Sequence, residues 1–458
     1  MKKISLFHLI GIIYFTVSGG AFGLEELVSS TGPGLALLLL IVTPLFWSLP
    51  VALMVAEMSS MLPLPGGYYR WVYFGLGRFW GFQEGWWTWL YTFVDMALYP
   101  VLFADYARYL FPGLTGWQHW LAALLVIYSS LLMNLLGARL VGRSAVLAFV
   151  VVTLPFFLFA MLGLGRIQNL PWNPWSPGGQ SLVQTLGLGL AVVVWNYSGW
   201  DNVSTFAGEV ARPKRNYPLA LFASVPLITL LYLLPVGIAL ATTQNWHEWQ
   251  TGDFPKIAAE VVGPWLGVIM SLAVMFSMWS LFNSQLLYTS RIPFAMAEDG
   301  LFPRWITRRN RRWGTPFASL LLCALIYSFF TLLDFRKLVV IDVLVYSAAL
   351  LLEMLALFKL RLTRPDLPRP FRIPGGWPAL LLVTLSMGVF ISACFIFSLL
   401  GENGGWIQAV IAVGMLLTGL LVYWISENFR KDSLPPAEWC RALGSPDRPP
   451  GRKSTSCP

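Results

Sequence analysis

The sequence predicts an all-α integral membrane protein, and three observations support this prediction. Of its 458 residues, 57% are hydrophobic and only 12% are charged, against roughly 25% charged in an ordinary soluble domain. The apolar residues form runs of about 17 to 25 residues between proline, glycine and charge clusters, which is the length that crosses a bilayer as a helix. The runs lack the alternation of barrel strands, so helices must satisfy the backbone groups within the membrane.

Twelve membrane-spanning helices are predicted, and their order fits two five-helix repeats of inverted topology followed by two further helices. Residues 1–5 precede the first repeat at 6–165, the second repeat occupies 181–359, and the last two helices lie within 378–426. The predicted spans cover residues 6–30, 34–60, 82–110, 118–138, 144–165, 181–209, 217–242, 264–290, 315–333, 338–359, 378–400 and 405–426. Segment 427–458 is rich in proline, serine and charged residues, so we expect a disordered tail.

The basic residues predict the orientation of these helices. The chain has 31 Lys and Arg residues, and all but five of them fall on the cytoplasmic side if the N-terminus is cytoplasmic. This asymmetry follows the positive-inside rule. With an even number of spans, both termini are then expected in the cytoplasm, and the protein is expected in the cell membrane. The net charge of +9 therefore reflects topology, and no nucleic-acid partner is expected. The basic cluster at 304–312 is expected to contact anionic lipids of the inner leaflet.

Two predicted spans are interrupted by glycine and small polar residues. Span 1 contains Ser18-Gly19-Gly20, and span 6 contains Asn196-Tyr197-Ser198-Gly199 followed by Trp200 and Asp201. Unwound segments at matching positions of two repeats free backbone N–H and C=O groups, an arrangement that binds substrates in transporters. The alternative is close helix packing, because Gly19 and Gly23 form a small-xxx-small contact.

Acidic residues inside the predicted spans are candidates for function, because a charge costs about 2.5–3.5 kcal/mol or more at membrane depth. The ten such acids are Glu25, Glu26, Glu57, Glu84, Asp95, Asp105, Asp201, Glu209, Asp342 and Glu353. Lys and Arg are almost absent from the span centres. The interior is therefore suited to a cationic substrate, a transported proton, or both.

Position distinguishes these acids from one another. Asp201, directly after the second break, and Asp95, near the middle of span 3, are predicted to line the binding pocket. Glu25 and Glu26 lie beyond the first break and could attract cations or gate the site. We expect Glu57 and Glu209 to form ion pairs at the cytoplasmic face. The three acids expected at span ends, with little functional role, are Asp105, Asp342 and Glu353.

Aromatic residues near the breaks could complete a cation site. Trp195, Tyr197 and Trp200 flank the second break, and Tyr99 follows Asp95 by one helical turn. Their ring faces could bind an ammonium group by cation–π interaction. The alternative is that these rings belong to helix packing or to the interfacial belts, which account for most of the 22 Trp residues.

Nothing in the sequence predicts an enzyme or a metal site. The three histidines are scattered, the four cysteines lack metal-like spacing, and neither a nucleophile elbow nor a Walker loop is present. Transport would therefore use an ion gradient or exchange, without ATP or a cofactor.

Long strings of the sequence resemble the amino acid–polyamine–organocation transporters over about residues 5 to 425. Strings typical of the whole superfamily are V-S-G-G-A-F-G at 17–23, A-E-M-S-S-M-L-P-L-P-G-G-Y-Y-R-W-V at 56–72 and S-R-I-P-F-A-M-A-E-D-G-L-F-P at 290–303. Strings similar to the polyamine-uptake and cationic-substrate branch are S-G-G-A-F-G-L-E-E at 18–26, G-F-Q-E-G-W-W-T-W-L at 81–90, V-D-M-A-L-Y-P-V-L-F-A-D-Y at 94–106 and W-N-Y-S-G-W-D-N-V-S-T-F-A-G-E-V-A-R-P at 195–213.

The resemblance implies a LeuT-like fold of two inverted repeats with a central site between broken helices 1 and 6, and proton-coupled uptake of polyamines. Carried over by position, the residues that would face or gate the pocket are Glu25, Asp95, Tyr99 and Asp201. The backbone of Ser18–Gly20 and Asn196–Gly199 would surround the substrate. Some members use a span 5 lysine as a proton-linked surrogate for sodium, and span 5 here has none. An acid is then the more natural proton carrier, and sodium is disfavoured as the driving ion.

The sequence thus predicts a proton-coupled importer of polyamines or other small organic cations, working by alternating access with no obligatory protein partner. One alternative is an amino acid permease or exchanger, because half-helix N-termini favour an α-carboxylate. A more remote alternative is a transporter-like receptor that binds its ligand without moving it.

Overall fold

The structure is a computed structural model that describes residues 5–63, 67–136, 138–178, 181–204, 210–310, 314–400 and 405–427, and these residues form helices joined by loops. The α-helices within these ranges, numbered in chain order, are α1 Leu6–Val17, α2 Leu24–Thr31, α3 Pro33–Thr43, α4 Leu49–Met61, α5 Gly67–Leu76, α6 Arg78–Ala107, α7 Trp117–Leu136, α8 Ala138–Gly163, α9 Leu182–Asn196, α10 Pro213–Thr242, α11 Phe254–Val261, α12 Pro264–Thr289, α13 Arg291–Glu298, α14 Phe317–Phe330, α15 Phe335–Thr363, α16 Gly376–Leu400 and α17 Gly405–Glu427. The predicted segments and residues that lie outside the described residues are 1–4, Glu209, Arg311, Arg312 and 428–458.

Several helices are long and apolar enough to cross a bilayer. The seven such segments found in the described residues are Pro33–Met61, Trp117–Leu136, Arg215–Thr242, Pro264–Glu298, Phe335–Thr363, Gly376–Phe397 and Trp406–Ser426. Helices α1 and α2 are individually too short, because the first predicted span is interrupted, and α6 is less apolar because it carries three acids. The predicted all-helical membrane protein is confirmed, whereas the count of twelve spans and the inverted repeats remain predictions.

Helices α6 and α15 form the centre of the bundle, and α16 and α17 lie at its periphery. Helix α6 packs against α15, α12, α5 and α7, and almost every residue from Gly81 to Ala107 is buried. By contrast, α16 and α17 expose many large apolar side chains, such as Leu382 and Trp424, each 69% exposed. Apolar surfaces of this kind suit contact with lipid tails. Because α16 and α17 lie outside α6 and α15, the acids of α6 and α15 do not face the bilayer.

The first interruption is a short loop between α1 and α2. Helix α1 ends at Val17 and α2 begins at Leu24. Gly19 and Gly20 have φ angles of +62° and +137°, which a residue with a Cβ adopts at a cost. The chain therefore leaves the helix where the glycines allow it.

The second interruption follows α9, which ends at Asn196. Gly199 has a φ of +94°, and a Cβ atom added there would lie 2.4 Å from the backbone oxygen of Thr16. The break after α9 thus touches the end of α1, so the two interrupted segments meet in the structure.

Replacing Gly199 with alanine is expected to destabilise the protein by about 2 kcal/mol or more. The left-handed backbone alone costs an alanine roughly 1–2 kcal/mol, and the Thr16 backbone has to move as well. The midpoint of thermal unfolding in detergent measures the effect. Gly388→Ala is the matched control, because Gly388 lies in helix α16 and nothing is within 4 Å of its added Cβ. An unchanged midpoint for Gly199→Ala would contradict the prediction.

A buried ion pair joins α4 to α15 at one end of the bundle, hereafter the Glu57 end. The Glu57 carboxylate accepts hydrogen bonds from Arg361 Nε at 2.8 Å, from Arg361 Nη2, and from the Ile373 backbone N–H at 2.8 Å. The side chains of Glu57 and Arg361 are almost completely buried. The prediction that Glu57 forms an ion pair is therefore confirmed.

Two of the family-like strings also meet at the Glu57 end. Tyr69, in α5, donates a hydrogen bond of 3.1 Å to Asp299 Oδ2, which directly follows α13. Burial raises the pKa of the Asp299 carboxyl to about 6, although the nearby Arg70 lowers it. These strings therefore link the short helix after α4 to the segment after α12, which is a structural role.

Candidate functional site

A small cavity lies where α1, α6, α9, α12 and α15 converge at the two helix breaks. Its volume is about 30 Å³, which is space for little more than one or two water molecules. Its polar walls include two carboxyl groups, of Asp95 and Asp342, together with Asn202 and Gln285. No lysine or arginine is found among the described residues that line it. The cavity is therefore acidic and lacks a countercharge of its own.

Asp95 is held in place by donors from two helices. Tyr99 OH lies 3.0 and 3.3 Å from its two carboxylate oxygens, and Trp195 Nε1 donates to Oδ1 at 3.2 Å. A chain of hydrogen bonds fixes Tyr99 in turn, because Gln285 Nε2 donates to its hydroxyl at 2.7 Å and Tyr288 donates to Gln285. Donors of this kind stabilise the ionised carboxylate, so Asp95 is suited to bind a cation.

Asp342 faces the same cavity from α15. It is buried, it interacts electrostatically with Asp95, and its Oδ1 atom has no hydrogen-bond partner within the described part of the chain. The expectation that Asp342 is a span-end group is wrong, because α15 begins at Phe335, two turns before it. An oxygen without a donor beside a second carboxyl is a natural ligand for an ammonium group.

Asp201 lies behind the cavity wall. Tyr346, which lines the cavity, donates a hydrogen bond of 2.5 Å to Asp201 Oδ1 and accepts one of 3.0 Å from the Gly199 backbone N–H. Asp201 therefore reaches the cavity through one tyrosine hydroxyl.

The predicted aromatic residues divide into two groups. Trp195 and Tyr99 line the cavity, with their ring centroids 6.3 Å apart. Tyr197 instead donates to the backbone oxygen of Leu40 at 2.9 Å, and Trp200 donates to the backbone oxygen of Tyr197 at 2.7 Å. Both of these side chains are fully buried away from the cavity, in helix packing.

The backbone of the first break makes its hydrogen bonds within the chain. Ser18, Asn196 and Gly199 line the cavity, whereas Gly19 and Gly20 do not. The Ser18 and Gly19 N–H groups both donate to the Tyr14 oxygen, and the Gly20 N–H donates to Ser18 Oγ. In this conformation, none of these three N–H groups is free for a ligand.

Glu25 and Glu26 lie in the first turn of α2, on the side of the cavity away from the Glu57 end. Glu25 accepts hydrogen bonds from Tyr106 OH at 2.8 Å and from the Phe254 N–H at 3.1 Å. Glu26 forms an ion pair of 2.9 Å with Arg336 Nε.

A second and larger cavity of about 560 Å³ lies next to Glu26 and Arg336. Phe335 lines this outer cavity and packs edge-on against Trp195, at 5.5 Å between ring centroids. These two rings therefore stand between the outer cavity and the central one.

Several residues of the site were not found from the sequence, and Asp342 was found but assigned to a span end. Tyr91, Asp342 and Tyr346 all line the cavity. A usable signal was present, because Tyr91, Asp95 and Tyr99 recur every four residues along α6, as do Asp342 and Tyr346 on α15. Side chains four residues apart share one helix face. Among the described residues, no group of His, Cys, Asp and Glu is arranged to hold a metal ion.

Comparisons with known proteins agree over most of the chain. The model of the amino acid permease family matches residues 4–424. A probable polyamine transporter of Arabidopsis thaliana is 35% identical over 431 residues, covering 92% of this chain and 84% of that protein. A polyamine transporter of Oryza sativa subsp. japonica is 33% identical over 470 residues, covering 98% and 84%. The methylthioribose transporter of Bacillus subtilis (strain 168) is 26% identical over 439 residues, covering 91% of each.

Proposed function

Because the chain belongs to the amino acid permease family and is therefore a transporter and not an enzyme, we propose that it takes up polyamines across the cell membrane, driven by a proton gradient. The relatives that are 33–37% identical carry the name of polyamine transporters, which supports this substrate class.

The observation that carries the proposal is the pair of carboxyl groups in the central cavity. Asp95 and Asp342 face a space whose described walls contain no lysine or arginine. Taking two charges of one sign out of water is costly unless a cation accompanies them. A polyamine brings two or more ammonium groups, and the rings of Trp195 and Tyr99 can bind them by cation–π interaction.

An amino acid fits this arrangement less well. Its α-carboxylate needs backbone donors, and the N–H groups of Ser18, Gly19 and Gly20 already donate within the break. The two carboxyl groups of the cavity, Asp95 and Asp342, would also repel an anion.

Alternating access accounts for the size of the cavity. A space of about 30 Å³ is too small for a polyamine, so the walls must separate to admit it. The glycine-containing breaks in α1–α2 and after α9 provide places where half-helices can tilt. The finer architecture we propose comprises twelve spans, inverted repeats at 6–165 and 181–359, two helices within 378–426, and cytoplasmic termini.

Uptake of radiolabelled putrescine into proteoliposomes tests the proposal. We expect saturable uptake that accumulates putrescine when the outside is acidic, persists without sodium, and is inhibited by spermidine. Arginine is the discriminating competitor. Saturable arginine transport that is indifferent to putrescine would favour an amino acid permease, and binding without any counterflow would favour a receptor.

A further inference from the structure

A second layer of buried acids lies below the central cavity, toward the Glu57 end. Glu84 and Glu353 are each eleven residues from a cavity acid, Asp95 on α6 and Asp342 on α15. Eleven residues make about three helical turns, so Glu84 lies on the same face of α6 as Asp95, and Glu353 on the same face of α15 as Asp342. Each pair is separated by about 16 Å along its helix axis. Because Glu84 interacts electrostatically with Glu353, and Asp95 with Asp342, the two helices are antiparallel and both displacements have the same direction.

Asp201 connects the two layers. It interacts electrostatically with Glu84 and Glu353 below it and with Asp95 above it. Its Oδ1 atom accepts the hydrogen bond from Tyr346, whose hydroxyl lines the central cavity. Asp201 therefore links the lower layer to the central cavity through one hydrogen bond.

The lower layer contains polar atoms that have no partner in the described part of the chain. Thr88 donates to Glu84 Oε1 at 3.0 Å, but Glu84 Oε2, Glu353 Oε2 and the Tyr68 hydroxyl have no hydrogen bond there. All three side chains are at least 99% buried. The Tyr68 hydroxyl interacts electrostatically with Asp201, Glu353 and Glu84, so an unpartnered group of a third helix, α5, joins the same cluster.

Ionising all three carboxyl groups at once is costly in such surroundings, because they are buried together and have like charge. No lysine, arginine or histidine of the described residues contributes to the electrostatic interactions of Glu84, Asp201 or Glu353. Neither does the cluster have the arrangement of a metal site in the described residues. A proton neutralises a carboxyl without needing space, and a protonated carboxyl can donate to a partnerless oxygen such as that of Tyr68.

We propose that Glu84, Asp201 and Glu353, hereafter the triad, form the site of the transported proton, separate from the Asp95–Asp342 layer that binds the substrate. This inference rests on the proposed function and assigns its proton coupling to named residues. Ammonium groups bound in the central cavity change the electrostatic potential at the Asp201 carboxyl, which is linked to the cavity by Tyr346. The binding of substrate and the binding of the proton therefore affect each other reciprocally.

Two kinds of flux through the full-length protein in proteoliposomes test the assignment. Glu84→Gln and Glu353→Gln are expected to keep putrescine counterflow, with KM within about twofold of the unmodified protein. We expect both to lose at least tenfold of the accumulation driven by a pH gradient. The matched control is Glu298→Gln, whose carboxyl is half exposed, and it should retain both fluxes. Accumulation by both triad variants at the unmodified level would overturn the assignment.

Infrared spectroscopy decides the question even if a variant folds poorly. At neutral pH the unmodified protein should show a C=O stretching band of protonated carboxyl groups. Glu353→Asp should shift this band, and Glu353→Gln should reduce it. If the unmodified protein lacks the band, the triad is not the proton site. If the unmodified protein performs counterflow but no pH-driven accumulation, the proton coupling of the proposed function is wrong. The infrared band then still shows whether the triad carboxyl groups are protonated.

Discussion

Replacing Asp95 with asparagine is expected to weaken putrescine binding at least about 30-fold. The substitution removes the negative charge, and it also places an amide beside the Tyr99 and Trp195 donors that now hold the carboxylate. Losing one partner of a buried, hydrogen-bonded charge pair costs about 2–5 kcal/mol, and each 1.4 kcal/mol is about tenfold in the dissociation constant. Scintillation proximity binding with purified protein measures the change directly.

Two variants serve as comparisons for Asp95→Asn. Asp105→Asn changes another acid of α6, whose carboxylate pairs with His119 and Arg108 beside the outer cavity, and it should leave putrescine affinity unchanged. Tyr99→Phe removes one donor but keeps the charge, so its effect should be only several-fold. If Asp95→Asn binds putrescine as tightly as the unmodified protein, Asp95 does not carry the ammonium group.

The interruptions of the helices could be predicted because glycine leaves a local signature. Ser18-Gly19-Gly20 and Ser198-Gly199 stand inside apolar runs, and the positive φ angles of Gly19 and Gly199 are a requirement that only a few residue types meet easily. Asp95 could be found for a related reason, since an acid in the middle of a span is rarely tolerated without a function.

Asp342 was assigned to a span end because the start of its helix was misplaced. The apolar run begins at Leu338, but Asp334 caps the helix earlier by accepting a hydrogen bond from the Lys337 N–H at 3.0 Å. Asp342 therefore lies inside the helix and not at its end. Asp is one of the residues preferred at a helix N-cap, so Asp334 is a recognisable helix start. Arg336 and Lys337, which follow it, obscured this start because they interrupt the apolar run.

Which side chains near the second break point into the cavity could not be predicted from the sequence. Trp195 lines the cavity, whereas Tyr197 and Trp200 are packed elsewhere. Once a helix unwinds, the periodicity of 3.6 residues no longer determines which residues share a face. Only the contacts made by each ring, such as that of Tyr197 with the Leu40 backbone, separate binding residues from packing residues.

Replacing Glu57 with glutamine is expected to destabilise the fold by about 3–5 kcal/mol, the cost of leaving a buried charge without its partner. Glu57 accepts three hydrogen bonds, two of them from Arg361, whose side chain is only 1% exposed. A neutral amide cannot balance the guanidinium. The midpoint of thermal unfolding in detergent should fall by many degrees, while Glu298→Gln, which loses only a half-exposed pair with Arg309, should cost less than about 1 kcal/mol.

The double variant Glu57→Leu with Arg361→Met separates the charge from the packing. Because removing both charges abolishes both desolvation penalties, much of the stability lost in Glu57→Gln should return. Arg369, whose Nε atom lies 3.6 Å from Glu57, also loses its carboxylate partner in the double variant, but it still donates to the backbone oxygens of Leu360, Arg364 and Leu367. A double variant as unstable as the single one would mean that the pair is needed for its hydrogen bonds to Ile373 and Gly376. Its main contribution would then be to fix the chain between α15 and α16, and not to neutralise a charge.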